Sequence, residues 1–562
     1  MRSRPSVFLL SAALLSVTGC TQSHYRASAD KQVYQIIREK QKSALGETNH
    51  FEVETRYSSR DPEKITPSDI IADRTTVASR FLSLPEVLDL AVQNNRTYQS
   101  RKEQLFLAAL TLTGARHDFR PLFAAESTAT AERSSSGEWS GHLGSRVSAS
   151  QLLKSGGSIG LSLANDVIHY YTGNPRHSAV SLISLNVLQP LLRGAGAQVV
   201  AENLKQSERN VIYEVRSFAF YQNTFAVEIV TTYFRLLQQK DTLRNEFNNY
   251  RNLVLARERA EALSFDRLPR FQADQARQDE LRAKSRYLQA VGRFKTSLDQ
   301  FKNTLGIPIG TDLALDDSAL VELDQIGLSE IKAGETAGFR LAVERRLDLL
   351  NEIDRFEDSK RKIEVAANQL KTRLDLFANA SLGSQGPVDY TRFNFDDIRA
   401  DGGLQLSLPL DRLSERNTYR ASLINFERQI RSLAQTLDET RNKIRQDLRT
   451  LKETRADYDI QRMAAELADR RVESATLLLQ AGRAQIRDLL EAQAAQLQAR
   501  NAVTQSMVDF HVARLGLLID FGLLKTDAGK FWLQEQTIPD EGSFEPDPPG
   551  DDVASPEKLF GK

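Results

Sequence analysis

Asp488 and Glu491 stand three residues apart, so on a helix they share one face, and they follow the glycine at position 482 closely. Adjacent carboxylates of this kind can select cations. Repeated around an axis by several copies of the chain, they would form an acidic ring that repels anions. No other grouping has spacing suited to bond-breaking chemistry. The seven histidines (24, 50, 117, 142, 169, 177 and 511) are dispersed and make no HExxH pair. His511 sits in an amphipathic stretch and reads as packed rather than as a ligand. No GxSxG elbow occurs. Cys20 is the one cysteine, which excludes an intrachain disulfide and a cysteine-cluster metal site. Gly194 and Gly196 follow Pro190 and read as a bend, not a phosphate loop. The sequence therefore nominates no catalytic residue, no cofactor and no metal.

Composition narrows the class further. Across 562 residues, 74 Lys and Arg balance 74 Asp and Glu, so no global positive field would attract nucleic acid. A mean hydropathy of −0.41 is too polar for a bundle of membrane-spanning helices. Only 16 prolines leave room for very long helices.

The N-terminus reads as an address. Arg2 and Arg4 precede an apolar run from Phe8 to Leu15, and Val17-Thr18-Gly19-Cys20 closes it with small residues. This resembles a bacterial lipoprotein signal, with residues 1–19 removed and Cys20 lipidated. Thr21 stands where Asp would signal inner-membrane retention, so the expected location is the outer membrane. One acyl chain binds a membrane only marginally, so further chains or a second anchor are needed.

The elements that would position these residues come in two copies. One constant offset sets Pro190 against Pro409, Ala262 against Ala481 and Ala273 against Ala492. A different offset upstream matches Ala91-Val92 with Ala342-Val343, which leaves about 35 extra residues in the first copy between Ala124 and Pro190. Each copy reads as helix, strands, very long helix, break and second helix. In the second copy Leu423, Ile430, Leu437, Ile444, Leu451, Tyr458, Ala465, Val472 and Leu479 recur every seventh residue, a coiled-coil seam. The segment from Asn417 to Ala481 lacks Pro and Gly and predicts a helix of roughly 95 Å. Ala197–Leu263 predicts its counterpart, and shorter helices are expected over Phe271–Leu305 and Leu489–Leu524. A short helix is expected over Ala29–Leu45.

Between the helices, apolar and polar residues alternate, as in Ser158–Ala164, Ile183–Val187, Leu374–Leu382 and Leu404–Leu408. Such strands suit either a soluble sandwich or a bilayer-spanning barrel. Export and the long flanking helices favour the barrel. One chain supplies only four to six strands, and an open edge cannot face lipid, so several chains must close the cylinder.

In this order and spacing the chain resembles the TolC-like outer-membrane efflux and export channels, from about Leu82 to Leu524. The resemblance is carried by Leu84-Pro85-Glu86-Val87 with Asn94-Asn95, Gln189-Pro190-Leu191-Leu192, Leu305-Gly306-Ile307-Pro308, and Ala481-Gly482-Arg483 running to Asp488–Gln493. It implies a mainly α fold with a membrane β-barrel part, in which three chains form one twelve-stranded barrel over a long α-helical periplasmic tunnel. The implied partners are two further copies, a periplasmic adaptor, an inner-membrane pump and outer-membrane lipid. Asp488 and Glu491 would line the pore entrance. Gly482, Arg483, Leu263 and Ser264 would meet the adaptor at the helix tips, and Pro190, Gly194, Gly196 and Pro409 would turn barrel into tunnel. At the tip, the constant offset pairs Asp488 and Glu491 with Pro269 and Gln272, and Gly482 with Leu263.

The expected organisation is signal 1–19, polar extension 20–80, first repeat 81–310, equatorial linker 311–340, second repeat 341–524, and an equatorial segment with a disordered acidic tail over 525–562. The extra residues of the first copy predict an added hairpin or a large surface loop. The competing reading is a lipid-anchored periplasmic coiled-coil adaptor or scaffold without a pore.

Overall fold

The computed structural model describes residues 21–172, 177–265, 269–328, 334–386, 389, 391–526 and 530–533. The signal segment, Cys20 and nearly all of the acidic tail lie outside the described residues. Along the chain run α1 (Gln22–Leu45), α2 (Pro67–Thr75), β1 (Ser79–Leu82), α3 (Leu84–Asn94), α4 (Arg96–His117), β2 (Leu122–Arg133), β3 (Trp139–Leu152), β4 (Ser158–Tyr170) and β5 (His177–Pro190). Then come α5 (Ala197–Val200), α6 (Glu202–Leu263), α7 (Arg270–Thr304), β6 (Asp312–Leu315), α8 (Ser318–Ile326), α9 (Glu335–Arg345) and α10 (Leu347–Gln369). The chain continues through β7 (Arg373–Gly383), β8 (Arg399–Ser407), α11 (Leu413–Gln480) and α12 (Ile486–Asp520). No described helix is long and apolar enough to cross a membrane.

Helix ends follow capping chemistry, and this moves several expected boundaries. The Asp411 carboxylate accepts the Leu413 amide at 3.0 Å, so α11 starts four residues before the expected Asn417. Gln485 and Asp488 form a capping box, so α12 starts at Ile486 instead of Leu489. Both short long-helix partners end on a left-handed glycine. The amides of Ile307 and Leu523 reach back to the carbonyls of Lys302 and Leu518, closing Schellman turns around Gly306 and Gly522.

These caps also correct the repeat register beyond the tips. Helices α7 and α12 are both 35 residues long, and the fully buried Ala276 and Ala492 occupy the same place in each. Ala273, set against Ala492 on the sequence, is therefore one helical turn out. Asp488 corresponds to Gln272 and Glu491 to Gln275, each the same number of residues from its helix start. One residue of that slip comes from the break, which is longer by one in the first copy, and the other two arise before it, since the long helices already end at Leu263 and Gln480.

Compact packing divides the chain into two units, and each draws on both repeats. The first takes in residues up to Glu52, Gln104–Arg216 and Asn351–Ala434. It holds the six-stranded sheet in the order β2-β3-β4-β5-β7-β8, every pair antiparallel. The added residues of the first copy are thus a strand pair inside the sheet, not a surface loop. Below it, α6 and α10 are joined by a buried ionic cluster. Asp358, 2% exposed, accepts from Tyr213 at 2.6 Å, from Gln206 at 3.0 Å and from Arg361 at 2.9 Å, and pairs with Arg209. Burial pushes its carboxyl up, yet these donors outweigh burial and hold it below the ordinary aspartate range.

The second unit comprises Val53–Glu103, Ser217–Leu350 and the residues from Gln435 on. Its two-stranded sheet pairs β1 with β6 in parallel, Ser79 opposite Asp312 and Leu82 opposite Leu315. The buried Tyr233 hydroxyl donates to the Asp316 carbonyl at 3.0 Å beside that sheet. Ile444 and Leu451 pack with Ala342, Phe510, Leu517 and Phe521. Only the middle of the heptad seam is buried by the chain itself: Ile444 is fully enclosed, whereas Ile430 is exposed and Leu437 half-buried. Ile444→Asp is therefore expected to abolish the folded chain, by placing an unpaired charge in a core. Leu437→Asp should give folded chains that fail to associate, read by circular dichroism together with native mass measurement.

Two titratable groups in this core set opposite pH dependences. Burial and the hydrogen bond with Asp447 push the Asp520 carboxyl up to about 7, against Arg346 at 2.9 Å. A carboxyl raised above its unfolded value of about 3.9 contributes stability that is complete below that value and lost as pH rises through 7. His511 is 3% exposed, and neither ring nitrogen has a hydrogen-bond partner among the described residues. Burial, helped by Arg514, lowers it to about 4, so its contribution is lost as pH falls from about 6.5 toward 4. Asp520→Asn should shrink the fall in melting temperature between pH 5 and pH 8. An unchanged fall would remove Asp520 as its source.

Candidate functional site

The sheet presents two chemically distinct faces, and the register makes each continuous across all six strands. One row runs Phe123, Ala149, Leu161, Leu185, Ala380 and Ala400, each directly opposite the next. Every member is apolar. The neighbouring row on the other face runs Ala124, Ser148, Ser162, Ser184, Ser381 and Arg399. A pleated strand sends successive side chains to opposite sides, so alternation within each strand becomes two surfaces once the ladders align. The apolar surface is not covered by the chain: Val147, Leu161, Leu404 and Phe123 are 56%, 51%, 64% and 80% exposed. The opposite face carries charges. Glu126 stands across from Arg146, His142 pairs with Asp166, and Asn379 donates to Asp401 at 3.0 Å. A face of that size and apolarity suits lipid, and its polar counterpart suits water.

The strand-to-helix corner gathers the residues singled out there. Pro190 is the last residue of β5, and Leu191 still bonds the Leu374 carbonyl at 2.7 Å. Gly194 turns the chain at φ +80°, its amide donating to the Asn368 side chain at 2.8 Å. Gly196, at φ +99°, donates to the Ser155 carbonyl at 3.0 Å in the β3–β4 turn. Positive φ at both positions needs glycine, and the chain turns there between β5 and α5. The second copy turns at Pro409, whose carbonyl accepts from Arg412 at 3.3 Å. Arg412 also donates to the Leu370 carbonyl at 2.7 Å. An ion pair between Arg193 and Glu415, at 3.1 Å, ties the two corners together. Arg193, Asn368, Arg412 and Glu415 were not singled out on the sequence: the Arg193–Glu415 and Gly194–Asn368 pairs cross the repeats, and Arg412 reaches back 42 residues to Leu370.

At the helix tips, Gly482 adopts φ +70° as the left-handed residue of a Schellman turn, with Arg483 N–H donating to the Leu478 carbonyl at 2.8 Å. A side chain there would meet open space, so the requirement is the dihedral and not the room. Leu263 is the last residue of α6, and the Ser264 hydroxyl donates to the Glu261 carbonyl at 2.7 Å. Asp488 and Glu491 do share an exposed face of α12, but each already has work. Asp488 accepts the Gln485 amide at 2.9 Å as the capping carboxylate. Glu491 pairs with Arg487 at 2.9 Å and lies 3.9 Å from Arg471. The Arg487–Glu491 spacing of four was a readable helix signal. Phe265, 92% exposed beside Ser264, was also passed over. Small buried residues hold the tip helices close, with Ala256, Ala260, Ala276 and Ala283 packed against Ile486 and Leu490.

No protein-family model matches the sequence, and no curated protein does. Solved structures do match. The CmeC outer membrane channel of Campylobacter jejuni aligns at TM-score 0.57 and 16% identity over 78% of this chain and 85% of its own. The open state of the Neisseria gonorrhoeae MtrE outer membrane channel gives 0.56 at 14% identity, covering 78% and 89%. The Vibrio cholerae outer membrane protein VceC gives 0.54 at 14% identity, covering 78% and 96%. The likeness covers 85–96% of those chains, and with its long helices and antiparallel sheet this chain has the TolC-like fold.

Proposed function

We propose that the chain is the passive outer-membrane conduit of an efflux or type I export machine. It works as a homotrimer, lipid-anchored at Cys20, and receives cargo through a periplasmic adaptor docked to an inner-membrane pump that supplies the energy. The observation that carries this reading is the uncovered apolar face running across six hydrogen-bonded strands. A periplasmic scaffold would have no use for it, and in water it would aggregate. Both ends of the sheet, β2 and β8, lack a partner strand among the described residues, which lipid forbids unless other copies complete the ring.

Replacing Cys20 with Ser separates the conduit from the scaffold. The conduit stays in the outer-membrane fraction, needs detergent, and conducts ions in planar bilayers. A soluble, elongated, non-conducting product would overturn it.

The tips around Gly482, Arg483, Leu263 and Ser264, with Phe265 beside them, are the surface offered to the adaptor. Asp488 and Glu491 line the entrance, where Arg487 and Arg471 offset part of their charge. The double replacement Asp488→Ala and Glu491→Ala leaves those arginines unbalanced. It should reverse any cation preference and remove block by multivalent cations. Unchanged selectivity would take the two acids out of the pore.

A further inference from the structure

We infer that each chain contributes all six strands to the wall, so that three chains close a barrel of eighteen strands and not twelve. This rests on the trimeric conduit proposed above. The residues that the first repeat has in excess of the second are β3 and β4, and both are fully laddered. β3 pairs from Trp139 to Ser150 with β2 and from Ser140 to Leu152 with β4. At 14 and 13 residues they are longer than β7 and β8, at 11 and 9, and a membrane strand needs about 9–11. The apolar row crosses them without interruption, through Ala149 and Leu161. A hairpin folded away from the bilayer would have no reason to keep its apolar side in register with four spanning strands.

The sheet edges fit a second copy of this chain. Strand directions alternate from β2 to β8, and six is even, so β2 of one copy runs antiparallel to β8 of the next. The ring then closes without a parallel pair for any number of copies. Every position of β2 and all but one of β8 are exposed, as expected of strands waiting for a neighbour. Charges complement across the join. Glu132, near the end of β2 farthest from its helix, and Arg399, at the matching end of β8, both lie on the polar face. Within the chain each stands opposite a serine, Ser140 and Ser381.

Barrel width grows about linearly with strand number. At a strand spacing of about 4.8 Å and a tilt of about 40°, eighteen strands set the backbone walls roughly 36 Å apart, against roughly 24 Å for twelve. Small residues such as Ser148, Ser162 and Ser184 do not fill such a lumen. The outer mouth would be a wide aqueous exit, and any sieving would fall to the helical end.

Single-particle imaging of the full mature chain in lipid nanodiscs tests this directly. Three copies around a barrel about 36 Å wide support the inference. Three copies around a barrel of about 24 Å, with a hairpin outside, overturn it but leave the conduit intact. Two copies closing twelve strands also overturn it. Particles with no barrel remove the conduit reading itself. Deleting residues 134–170 joins β2 to β5 and leaves four strands per chain. The radius of the largest polyethylene glycol that enters from the outer side should then fall by about a third. An unchanged limit in a folded deletion variant overturns the eighteen-strand wall, and if the variant does not fold, the imaging decides.

Discussion

Asp358→Ala is expected to cost the first unit about 3–5 kcal/mol, the range for removing one partner of a buried ion pair. The carboxylate is held by Tyr213, Gln206 and Arg361 and pairs with Arg209, and its side chain is almost fully enclosed. Without it, Arg361 keeps Glu202 at 3.1 Å and Arg209 keeps Asp354 at 3.1 Å, but both guanidiniums lose their shared anion. The Tyr213 hydroxyl loses its acceptor in a buried position, a further cost. Asp358→Asn restores an acceptor for Tyr213 without the charge and should recover part of the loss. Because the folded carboxyl sits below its ordinary value, its contribution is present above about pH 3.9 and lost as pH falls through the folded value. Thermal unfolding at pH 7 and pH 3 checks both points. A melting curve for Asp358→Ala like that of the parent at pH 7 would show that the cluster does not hold α6 to α10.

Leu163→Arg and Ser162→Arg should behave as opposites, although the two positions are adjacent. Leu163 lies on the apolar face between Val147 and Ile183, near the middle of β4. A charge facing lipid at that depth costs about 2–4 kcal/mol per copy, and closure multiplies it by the number of copies. Inserted channel should therefore be lost from the outer-membrane fraction. Ser162 lies between Ser148 and Ser184 on the polar face, where an arginine meets water. That variant should insert normally and shift ion selectivity toward anions. Equal insertion of both variants would mean that this face does not meet lipid.

Much of the architecture was legible because it is periodic. The long helices, the strands, the duplication and the two corners all repeat along the chain, and local geometry turns a period directly into an element. The bend at Gly194 and Gly196 and the tip at Gly482 were readable for a related reason, since only glycine adopts those dihedrals freely. Errors clustered where periodicity stops. The register beyond the tips slipped by one helical turn because the offset changes between the corners and the ends of the long helices, and again at the break. The boundaries of α11 and α12 moved because the caps, Asp411 and Asp488, are polar residues outside the seam.

Taken alone, the sequence determined the period of each element, the glycines at which the chain turns, and the alternation that gives the sheet one apolar face. Those properties depend on residues close together along the backbone. Tertiary structure decided the rest: that the added segment is two strands of the sheet, that Glu491 lies beside Arg471 of the preceding helix, and that Ile444 belongs to the chain's own core. Each of these turns on which distant residue lies opposite, and strand register and helix packing settle that only when the whole chain is folded.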